Sequence, residues 1–485
     1  MPDDLKSNVL SSLFWKFLEG GGVTGIQFVV QIILARLLLP EDFGIIALII
    51  VFISISQAFV QSGLGTALVQ KKEVTDEDLS SVLFLSLGIA LVFYCILFVA
   101  APFIASFYHQ PIIAPVLRVL GLTLFFAAVN SIQKAVVARN FQFRRLFISS
   151  LGAVLLSGAI GIAMAYGGFQ VWALVGQQLT SMVALCVIMW FTVRWRPHLL
   201  FSLPRVKGLF SYGWKLLASS LMDVTCNNVY PLVIGKIYPP NVLGYFVQGQ
   251  VIPKTLIENV DTSIQAVMLP AYCKKQDDRP QLKQMMRRAM VTSSFIVFPA
   301  MVGLAAVAKP LVVLILTDKW LPSVLFLQIF CAVYALWPIH TANLQAINAI
   351  GRSDIFLKLD VVKRTVDLGI LAVSILFGIY AIALGMVLSG VIATFINAYP
   401  NRKLLDYSFT EQWRDIVPSL VLSLVMGGLV YSVLFLGLST WVTLISQIAI
   451  GLVTYLGLAW ALKLDSLMYA VGVVSEYFSK LKEPC

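Results

Sequence analysis

The sequence predicts an all-α integral membrane protein with 14 transmembrane helices, and three observations support this. The chain of 485 residues is 59% hydrophobic and only 12% charged, whereas roughly a quarter of the residues in a soluble domain are charged. Apolar runs of about 20 residues recur from end to end, and each is long enough to cross a hydrocarbon core of about 30 Å. Lys and Arg gather in alternate connections between these runs, as the positive-inside rule requires.

The apolar runs define the predicted elements in chain order. The spans lie near 14–37, 43–68, 81–106, 114–137, 146–167, 171–193, 208–235, 242–270, 289–308, 323–349, 356–377, 380–399, 416–437 and 440–462. A polar-apolar segment at 466–482 follows, and we expect it to lie on the membrane surface as an amphipathic helix. The loop charges predict that both termini are cytoplasmic.

Composition and motifs narrow the function classes. The net charge of +11 resides mainly in the membrane loops, which argues against nucleic acid as a partner. The six cysteines are scattered without ligand spacing, so we expect neither a metal site nor a cofactor. Phosphate-binding, zinc-binding and nucleophile motifs are lacking, so the sequence indicates a protein that is not an enzyme.

Two short polar breaks 200 residues apart indicate an internal repeat. In each break a basic residue, a proline and a glycine recur at the same offset: Arg36, Pro40 and Gly44, then Lys236, Pro240 and Gly244. Two copies of six spans would share one orientation, related by a pseudo-two-fold axis along the membrane normal. We therefore predict two six-helix lobes at 1–200 and 201–400, an appended helical hairpin at 401–465, and a cytoplasmic tail at 466–485.

Polar stripes within the spans predict a water-filled cleft between the lobes. Span 8 carries Gln250, Lys254, Glu258, Asp261 and Gln265 at spacings that place them on one helical face. Spans 1, 2 and 7 carry similar stripes, and an ionisable side chain within a span is costly unless it faces a cavity or a partner. The predicted lining residues are Lys16, Glu19, Gln27, Gln61, Arg118, Asn130, Gln133, Lys134, Lys215, Asp223, Asn227, Gln250, Lys254, Glu258, Asp261, Trp337, His340 and Asn348.

Some of these polar residues have alternative explanations. Lys254 and Glu258 are four residues apart, so they could simply pair on one helix. His340 is either a hydrogen-bonded structural histidine or a proton-coupling group. Arg36 and Lys236 either extend toward the membrane interface or contact substrate.

Span 11 favours a structural interpretation of its charges. Asp360 with Arg364 and Lys363 with Asp367 are both spaced by four residues, which predicts ion pairs along one helix.

Short motifs along the chain carry a family resemblance. They are Trp15-Lys16, Ala35-Arg36-Leu37-Leu38, Pro40-Glu41-Asp42-Phe43-Gly44, Gly63-Leu64-Gly65, Ala67-Leu68-Val69-Gln70, Phe107-Tyr108, Trp172-Ala173-Leu174-Val175 and Trp195-Arg196-Pro197. The sequence resembles the polysaccharide-transporter family, the Wzx-like branch of the multidrug/oligosaccharidyl-lipid/polysaccharide (MOP) flippase superfamily. Within that branch it is most similar to the colanic-acid-type WzxC group. The motifs cover residues 10–200, and the span pattern covers the whole chain.

The resemblance implies a bacterial inner-membrane flippase that works by alternating access through a cationic central cavity. Its cargo would be an undecaprenyl-diphosphate-linked oligosaccharide, moved from the cytoplasmic to the periplasmic leaflet for exopolysaccharide, capsule or O-antigen synthesis. The implied partners are this lipid-linked substrate, membrane lipids, a polysaccharide polymerase and assembly proteins. Coupling to protons, sodium ions or the membrane potential stays open.

We expect Lys254, Lys215 and Lys134 to bind the diphosphate, because lysines attract phosphate as point charges. The residues expected to contact sugars are Asn130, Gln133, Trp337 and Asn348. Two alternatives are a drug or small-molecule antiporter of the same superfamily and a non-transporting scaffold for polysaccharide assembly. An antiporter for cationic drugs would favour acids in its cavity.

Overall fold

The structure, a computed structural model, describes residues 14–16, 18–61, 63–193, 195–464 and 468. All regular secondary structure within these ranges is helical. The predicted amphipathic segment at 466–482 lies, apart from Met468, outside the described residues, as does the N-terminal segment 1–13.

Backbone contacts divide the chain into two compact units, Met1–Val247 (unit 1) and Gln248–Cys485 (unit 2). The predicted division into lobes at residue 200 stays a prediction.

Unit 1 contains nine helices and the start of a tenth within its described residues. After a π-helical turn at Leu18–Val23, these are α1 (Thr24–Leu37), α2 (Pro40–Gln61), α3 (Leu64–Gln70), α4 (Asp76–Tyr108), α5 (Ile113–Gly121), α6 (Thr123–Arg139), α7 (Phe143–Tyr166), α8 (Val171–Thr192), α9 (Leu203–Ile237) and the first turns of α10 (Pro240–Cys273). Leu64, Val82, Ile132 and Met189 belong to one buried cluster that joins α3, α4, α6 and α8.

Unit 2 contains the rest of α10 and eight further helices within its described residues. These are α11 (Arg279–Ala306), α12 (Ala308–Leu316), α13 (Ser323–Ala335), α14 (Trp337–Ala349), α15 (Ser353–Ser374), α16 (Ile379–Leu404), α17 (Phe409–Ser432) and α18 (Thr440–Ala461). The terminal pair α17–α18 packs on α11, where Met426, Val430 and Tyr455 are buried and the Tyr455 hydroxyl donates to the Phe295 carbonyl at 2.8 Å.

Eleven segments of the described chain are long and apolar enough to cross a membrane. They correspond to all predicted spans except 7, 8 and 11. At these three places the structure has the helices α9, α10 and α15, of 35, 34 and 22 residues. Polar side chains lower the mean hydropathy of these three helices. Each is long enough to cross a membrane but is less apolar than the eleven other segments. A multi-pass helical membrane protein is therefore confirmed, and the count of 14 stays a prediction.

The two breaks between helices indicated by the repeat are both present. Leu38 and Tyr238 end their helices in extended conformation, and each donates its N–H four residues back at 2.8 Å. A proline, Pro40 or Pro240, then begins the next helix at the same offset. Proline suits this position because its fixed φ matches the helix and its missing N–H would be unpaired there anyway.

Candidate functional site

Unit 1 contains a cavity between α1, α2 and α8 with both apolar and polar walls, and we call it the amide cavity. Its volume is about 290 Å³. The side chains of Gln27 and Gln31 on α1 line it together with Gln177, Gln178 and Ser181 on α8. All five are neutral groups that both donate and accept hydrogen bonds.

A second cavity in unit 1, the lysine cavity, has a volume of about 380 Å³. Gln57, Gln61, Asn130, Ser131 and Lys134 contribute its polar walls. An adjoining space of about 420 Å³, the α9 pocket, shares several of these residues and extends to Ser220 on α9. Polar walls therefore run from α2 and α6 across to α9.

The cavities form a row with an uneven charge distribution. Met182 lines both the amide cavity and the lysine cavity, so the two are neighbours. Among the described wall residues of the three spaces, Lys134 alone carries a charge. The walls offer one cation and many amides and hydroxyls. From outside these walls, the charges of Glu19 and Lys16 act on Lys134 with opposite signs.

Asn130 holds the lysine cavity in shape. Its side-chain amide donates to the Met182 carbonyl at 3.2 Å and so links α6 to α8. Its Oδ1 is buried without a hydrogen-bond partner among the described residues. An acceptor of this kind is costly to leave unpaired and is available to a donor that enters the site.

Three other predicted residues of unit 1 do not join this row. Lys16 and Glu19 pair with each other at 2.6 Å. Arg118 on α5 turns to α4, where its guanidinium lies 4.3 Å from the Phe98 ring and donates to the Phe98 carbonyl at 3.3 Å. These three residues therefore have local partners, and their place in a central cavity stays a prediction.

The remaining predicted residues of unit 1 occupy mixed environments. Gln133 is only 1% exposed, and its Oε1 has no hydrogen-bond partner among the described residues. Asp223 and Asn227 are exposed on α9. The side chain of Lys215 lies outside the described part of the structure.

In unit 2, Asp261 is the centre of a buried polar cluster. Its side chain is 6% exposed. It accepts hydrogen bonds from the Trp337 indole at 3.0 Å and from Gln265 and Thr341 at 2.5 Å. Gln345 donates to Gln265 at 2.8 Å and extends the cluster along α14. Sequence periodicity predicted the helix face that carries Asp261 and Gln265. The structure shows that their partners on α14 are Trp337, Thr341 and Gln345.

The other predicted residues of unit 2 pair locally or are exposed. Gln250 donates to the Tyr334 hydroxyl at 2.7 Å. Lys254 and Glu258 are 3.8 Å apart, and about half of each side chain is exposed. The pairing alternative therefore describes these two residues as they stand in the structure.

His340 and Asn348 lie on α14. The Nδ1 of His340 is 3.0 Å from the Asn397 amide nitrogen, as expected for a hydrogen-bonded structural histidine. Asn348 is exposed. The grouping of all eighteen predicted residues in one cavity stays a prediction.

One of the two ion pairs predicted on α15 is present, and the predicted pair of Lys363 with Asp367 stays a prediction. Asp360 lies 3.7 Å from Arg364, as predicted, and 3.5 Å from Lys363. Lys236 on α9 donates to the Phe107 carbonyl at 2.6 Å and lies over the Phe107 ring.

The first turn of α9 is held to α4 by charges, a contact that we call the ionic junction. The Asp78 carboxylate is fully buried and lies 2.7 Å from Lys71 and 3.3 Å from Arg205. Arg205 also pairs with Glu77 at 3.0 Å. Thr75 and Asp78 form the capping box that begins α4, so the same carboxylate caps a helix and binds two cations.

Just beyond the opposite end of α9, the start of α10 contacts the start of α2 through its backbone, and we call this contact the glycine junction. A methyl group at Gly44 would overlap the Pro240 carbonyl, with its carbon atom only 2.7 Å away. A methyl group at Gly244 would overlap the Pro40 carbonyl in the same way, with its carbon atom 2.8 Å away. The repeated motifs therefore contact each other reciprocally, and only glycine allows so close an approach.

Sequence reasoning missed Gln177, Gln178 and Ser181. Two adjacent glutamines within an apolar span, followed four residues after the first by a serine, gave a signal that could have identified this wall. It also missed Asp78 and Arg205, because each looked like an ordinary loop-side charge and only their folded positions join them.

Comparisons with known proteins agree with this architecture. A family model described as "Polysaccharide biosynthesis protein" matches residues 33–325. The lipopolysaccharide biosynthesis protein WzxC of Escherichia coli (strain K12) is 24% identical over 434 residues, which cover 87% of this chain and 88% of WzxC. The succinoglycan biosynthesis transport protein ExoT of Rhizobium meliloti (strain 1021) is 25% identical over 312 residues, or 64% of this chain and 63% of ExoT.

Among solved structures, the lipid II flippase MurJ in an inward closed conformation is similar in fold. The TM-score is 0.72 at 15% sequence identity, and the match covers 95% of this chain and 98% of the MurJ chain. At this identity the likeness concerns the fold alone.

Proposed function

The chain belongs to the polysaccharide biosynthesis protein family, and from this premise we propose that it is a flippase for undecaprenyl-diphosphate-linked oligosaccharides. The family assignment confirms the resemblance seen in the sequence motifs. The proposed direction is from the cytoplasmic to the periplasmic leaflet of a bacterial inner membrane, with both chain termini in the cytoplasm. The oligosaccharide would supply exopolysaccharide, capsule or O-antigen synthesis.

The wall chemistry of unit 1 carries this proposal. Amides and hydroxyls from α1, α2, α6 and α8 surround Lys134, and carboxylates are lacking from the described walls. Convergent amides and hydroxyls recognise sugar hydroxyl groups, and a lysine recognises phosphate. An antiporter for cationic drugs would need the opposite charge, so the described walls favour a saccharide carrying phosphate.

Such a site removes the main obstacle to flipping. Moving an unpaired ion such as a phosphate into hydrocarbon would cost tens of kcal/mol by Born solvation. A hydrated polar row replaces part of the lost solvation, while the polyprenyl chain stays in the lipid. Lys134 is the first candidate for the diphosphate, since Lys254 already lies beside Glu258. Lys215 is a further proposed diphosphate ligand.

The two junctions supply a physical basis for alternating access. The α9 pocket is lined by Ser54 and Gln61 on α2 and by Ser220 on α9. Along α9, Ser220 lies between Arg205 of the ionic junction and the helix end that precedes the glycine junction. Release of one junction while the other stays closed would open the row to one leaflet at a time. The membrane potential could drive the outward step, because it contributes about 2.3 kcal/mol per elementary charge per 100 mV.

Reconstitution tests the proposal. Purified protein in liposomes should transfer a labelled lipid-linked oligosaccharide between leaflets, measured by its accessibility to an impermeant reagent. We expect Lys134→Ala to slow transfer at least about tenfold, as loss of a phosphate contact worth roughly 1.5–3 kcal/mol predicts. Lys134→Arg should retain most of the rate, because the charge is kept.

Lys72→Ala is the matched control, because Lys72 is an exposed loop lysine outside the described cavity walls. It should transfer the substrate at the wild-type rate. No transfer by wild-type protein, combined with export of cationic drugs, would replace the flippase by an antiporter. Transfer at an unchanged rate by Lys134→Ala would remove Lys134 from the site.

A further inference from the structure

Unit 1 contains a further cavity where five helices begin or end, and we call it the rim pocket. Its volume is about 240 Å³. Its walls come from the ends of α3, α6 and α8, the starts of α4 and α7, and the connections between them. All five helices belong to segments that are long and apolar enough to cross a membrane. The rim pocket therefore lies at the membrane surface, at the level of the lipid headgroups.

Two arginines give the rim pocket its positive charge, and both are hydrogen bonded to neutral oxygen atoms. Arg139 donates to backbone carbonyls at the end of α3, among them that of Leu68 at 3.3 Å. Arg145 donates to the side-chain oxygen of Gln142 at 2.9 Å. Asp76 is the only acid among the described wall residues, and it is exposed. Positive charge therefore exceeds negative charge in these walls.

Trp195, just after α8, adds a donor without an acceptor. It lines the rim pocket, and its indole nitrogen is buried with no hydrogen-bond partner among the described residues. An unpaired buried donor is costly, so an acceptor at this wall is favoured. The amides of Asn140 and Gln142 also donate. A phosphate group matches these walls, because it combines negative charge with several acceptor oxygens.

Phe141 favours a lipid over a soluble anion as the source of that phosphate. It lies between the wall residues Asn140 and Gln142, and its side chain is 52% exposed. Its φ of 54° places it in the left-handed region, where glycine usually follows a helix and a bulky residue is strained. The strained position holds an apolar ring at the membrane surface, where lipid covers it.

We propose that the rim pocket binds one phosphate group and that the headgroup of an anionic lipid supplies it. This binding does not depend on the proposed flippase function. The arginines and the indole bind the phosphate oxygens, and the charge of Asp76 opposes them. Arg139 also donates to the Lys71 carbonyl, and Lys71 pairs with Asp78 in the ionic junction. A lipid in the rim pocket therefore lies beside that junction.

Native mass spectrometry of the full-length protein in neutral detergent measures the binding. Phosphatidylglycerol is the anionic probe, and phosphatidylcholine, whose headgroup carries its own cation, should bind more weakly. We expect Arg145→Ala to weaken phosphatidylglycerol binding about tenfold, as the loss of one charge-assisted hydrogen bond predicts.

Arg144→Ala is the matched control, because it removes the same charge one residue earlier. Arg144 lies over the Trp15 ring, 5.5 Å from its centre, and is outside the described walls of the rim pocket. This variant should bind phosphatidylglycerol like the wild-type protein. Equal losses in Arg144→Ala and Arg145→Ala, or equal affinity for the two lipids, overturn the proposal, since either result indicates diffuse surface charge.

Two further variants keep the test decisive if Arg145→Ala does not fold. Asp76→Asn removes the opposing charge and should tighten phosphatidylglycerol binding, and an unchanged affinity contradicts the proposal. Trp195→Phe keeps a ring in the wall but removes the indole donor, so it should weaken binding. Unchanged binding by Trp195→Phe removes the indole from the site.

Inorganic phosphate distinguishes the two sources of the ligand. It would be titrated at constant ionic strength while thermal unfolding of the full-length protein is followed. Phe141→Gly relieves the backbone and removes the ring, so it should weaken binding of phosphatidylglycerol and leave any response to inorganic phosphate unchanged. Stabilisation by inorganic phosphate without binding of phosphatidylglycerol keeps the phosphate site and makes free phosphate its ligand. Absence of both effects overturns the proposal.

Discussion

The ionic junction holds the first turn of α9, and the glycine junction holds the start of α10 just beyond the other end of α9, by different chemistry. At about 1.5 Å per residue, the 35 residues of α9 extend roughly 50 Å, comparable to the full thickness of a bilayer. At one end Asp78 binds Lys71 and Arg205, an arrangement that tolerates small displacements because charges act over distance. At the other end Gly44 and Gly244 contact the backbone of the facing helix, an arrangement that any added atom disrupts. The ionic junction therefore depends on side-chain charge, whereas the glycine junction depends on side-chain volume.

The largest effect is expected from Gly44→Ala. The new methyl group meets a backbone carbonyl, which cannot rotate aside, so the glycine junction must open. Overpacking of this kind costs about 1–3 kcal/mol, enough to reduce the closed population by about five- to 150-fold. The flipping rate should fall accordingly in liposomes.

Gly88→Ala is the control for that variant, because a methyl group at Gly88 on α4 meets no atom within 4 Å. It should flip at the wild-type rate. Gly244→Ala should reproduce the Gly44→Ala defect, and the double variant should be little worse than either single one, since both disrupt one contact. A fully additive double variant would show that the two glycines act independently.

A smaller effect is expected from Asp78→Asn at the ionic junction. The amide keeps the size of the side chain but leaves Lys71 and Arg205 without their shared carboxylate. Hydrogen bonds to charged groups contribute about 1.5–3 kcal/mol, and the partial exposure of both cations lowers the expected loss to about 1–2 kcal/mol. Thermal unfolding of the purified protein measures it. Unchanged unfolding of Asp78→Asn would show that the ion pairs contribute nothing.

The smallest effect is expected from Arg205→Ala. Lys71 still neutralises Asp78 in this variant, and a partly exposed ion pair contributes at most about 1 kcal/mol.

The wild-type ionic junction should loosen at about 1 M salt, where the screening length falls to about 3 Å, and the glycine junction should not change. Spin-label distances between residues 73 and 207, compared with those between 39 and 241, measure both. Equal salt sensitivity at the two junctions would contradict the difference in chemistry.

Much of the fold could be predicted from the sequence. An apolar run that crosses lipid must pair its backbone N–H and C=O groups within the protein, and a helix of about 20 residues does so. The helix boundaries at Pro40 and Pro240 follow the sequence, since proline marks the start of a helix locally. Spans 7 and 8 were also placed on real helices, although their polar stripes leave their membrane crossing a prediction.

The candidate site was less predictable, because partners come from distant parts of the chain. Periodicity placed Asp261 on a polar face of its helix, but the contacts with Trp337 and Thr341 depend on how α14 packs. Arg118 had a plausible position within a span and yet contacts Phe98, because a nearby ring and carbonyl satisfy it. Residue spacing therefore indicates which polar residues share one face of a helix, whereas helix packing determines which of them contact each other.

The central claim is that the two junctions open alternately while a lipid-linked oligosaccharide crosses between them. The most direct test places spin-label pairs at 39 and 241 and at 73 and 207 in a cysteine-free protein in liposomes, with and without the lipid-linked oligosaccharide. We predict that substrate produces two populations, each with one junction closed and the other open, and that Gly44→Ala favours the population with the open glycine junction. Distances that ignore the substrate, or junctions that open together, would contradict the account.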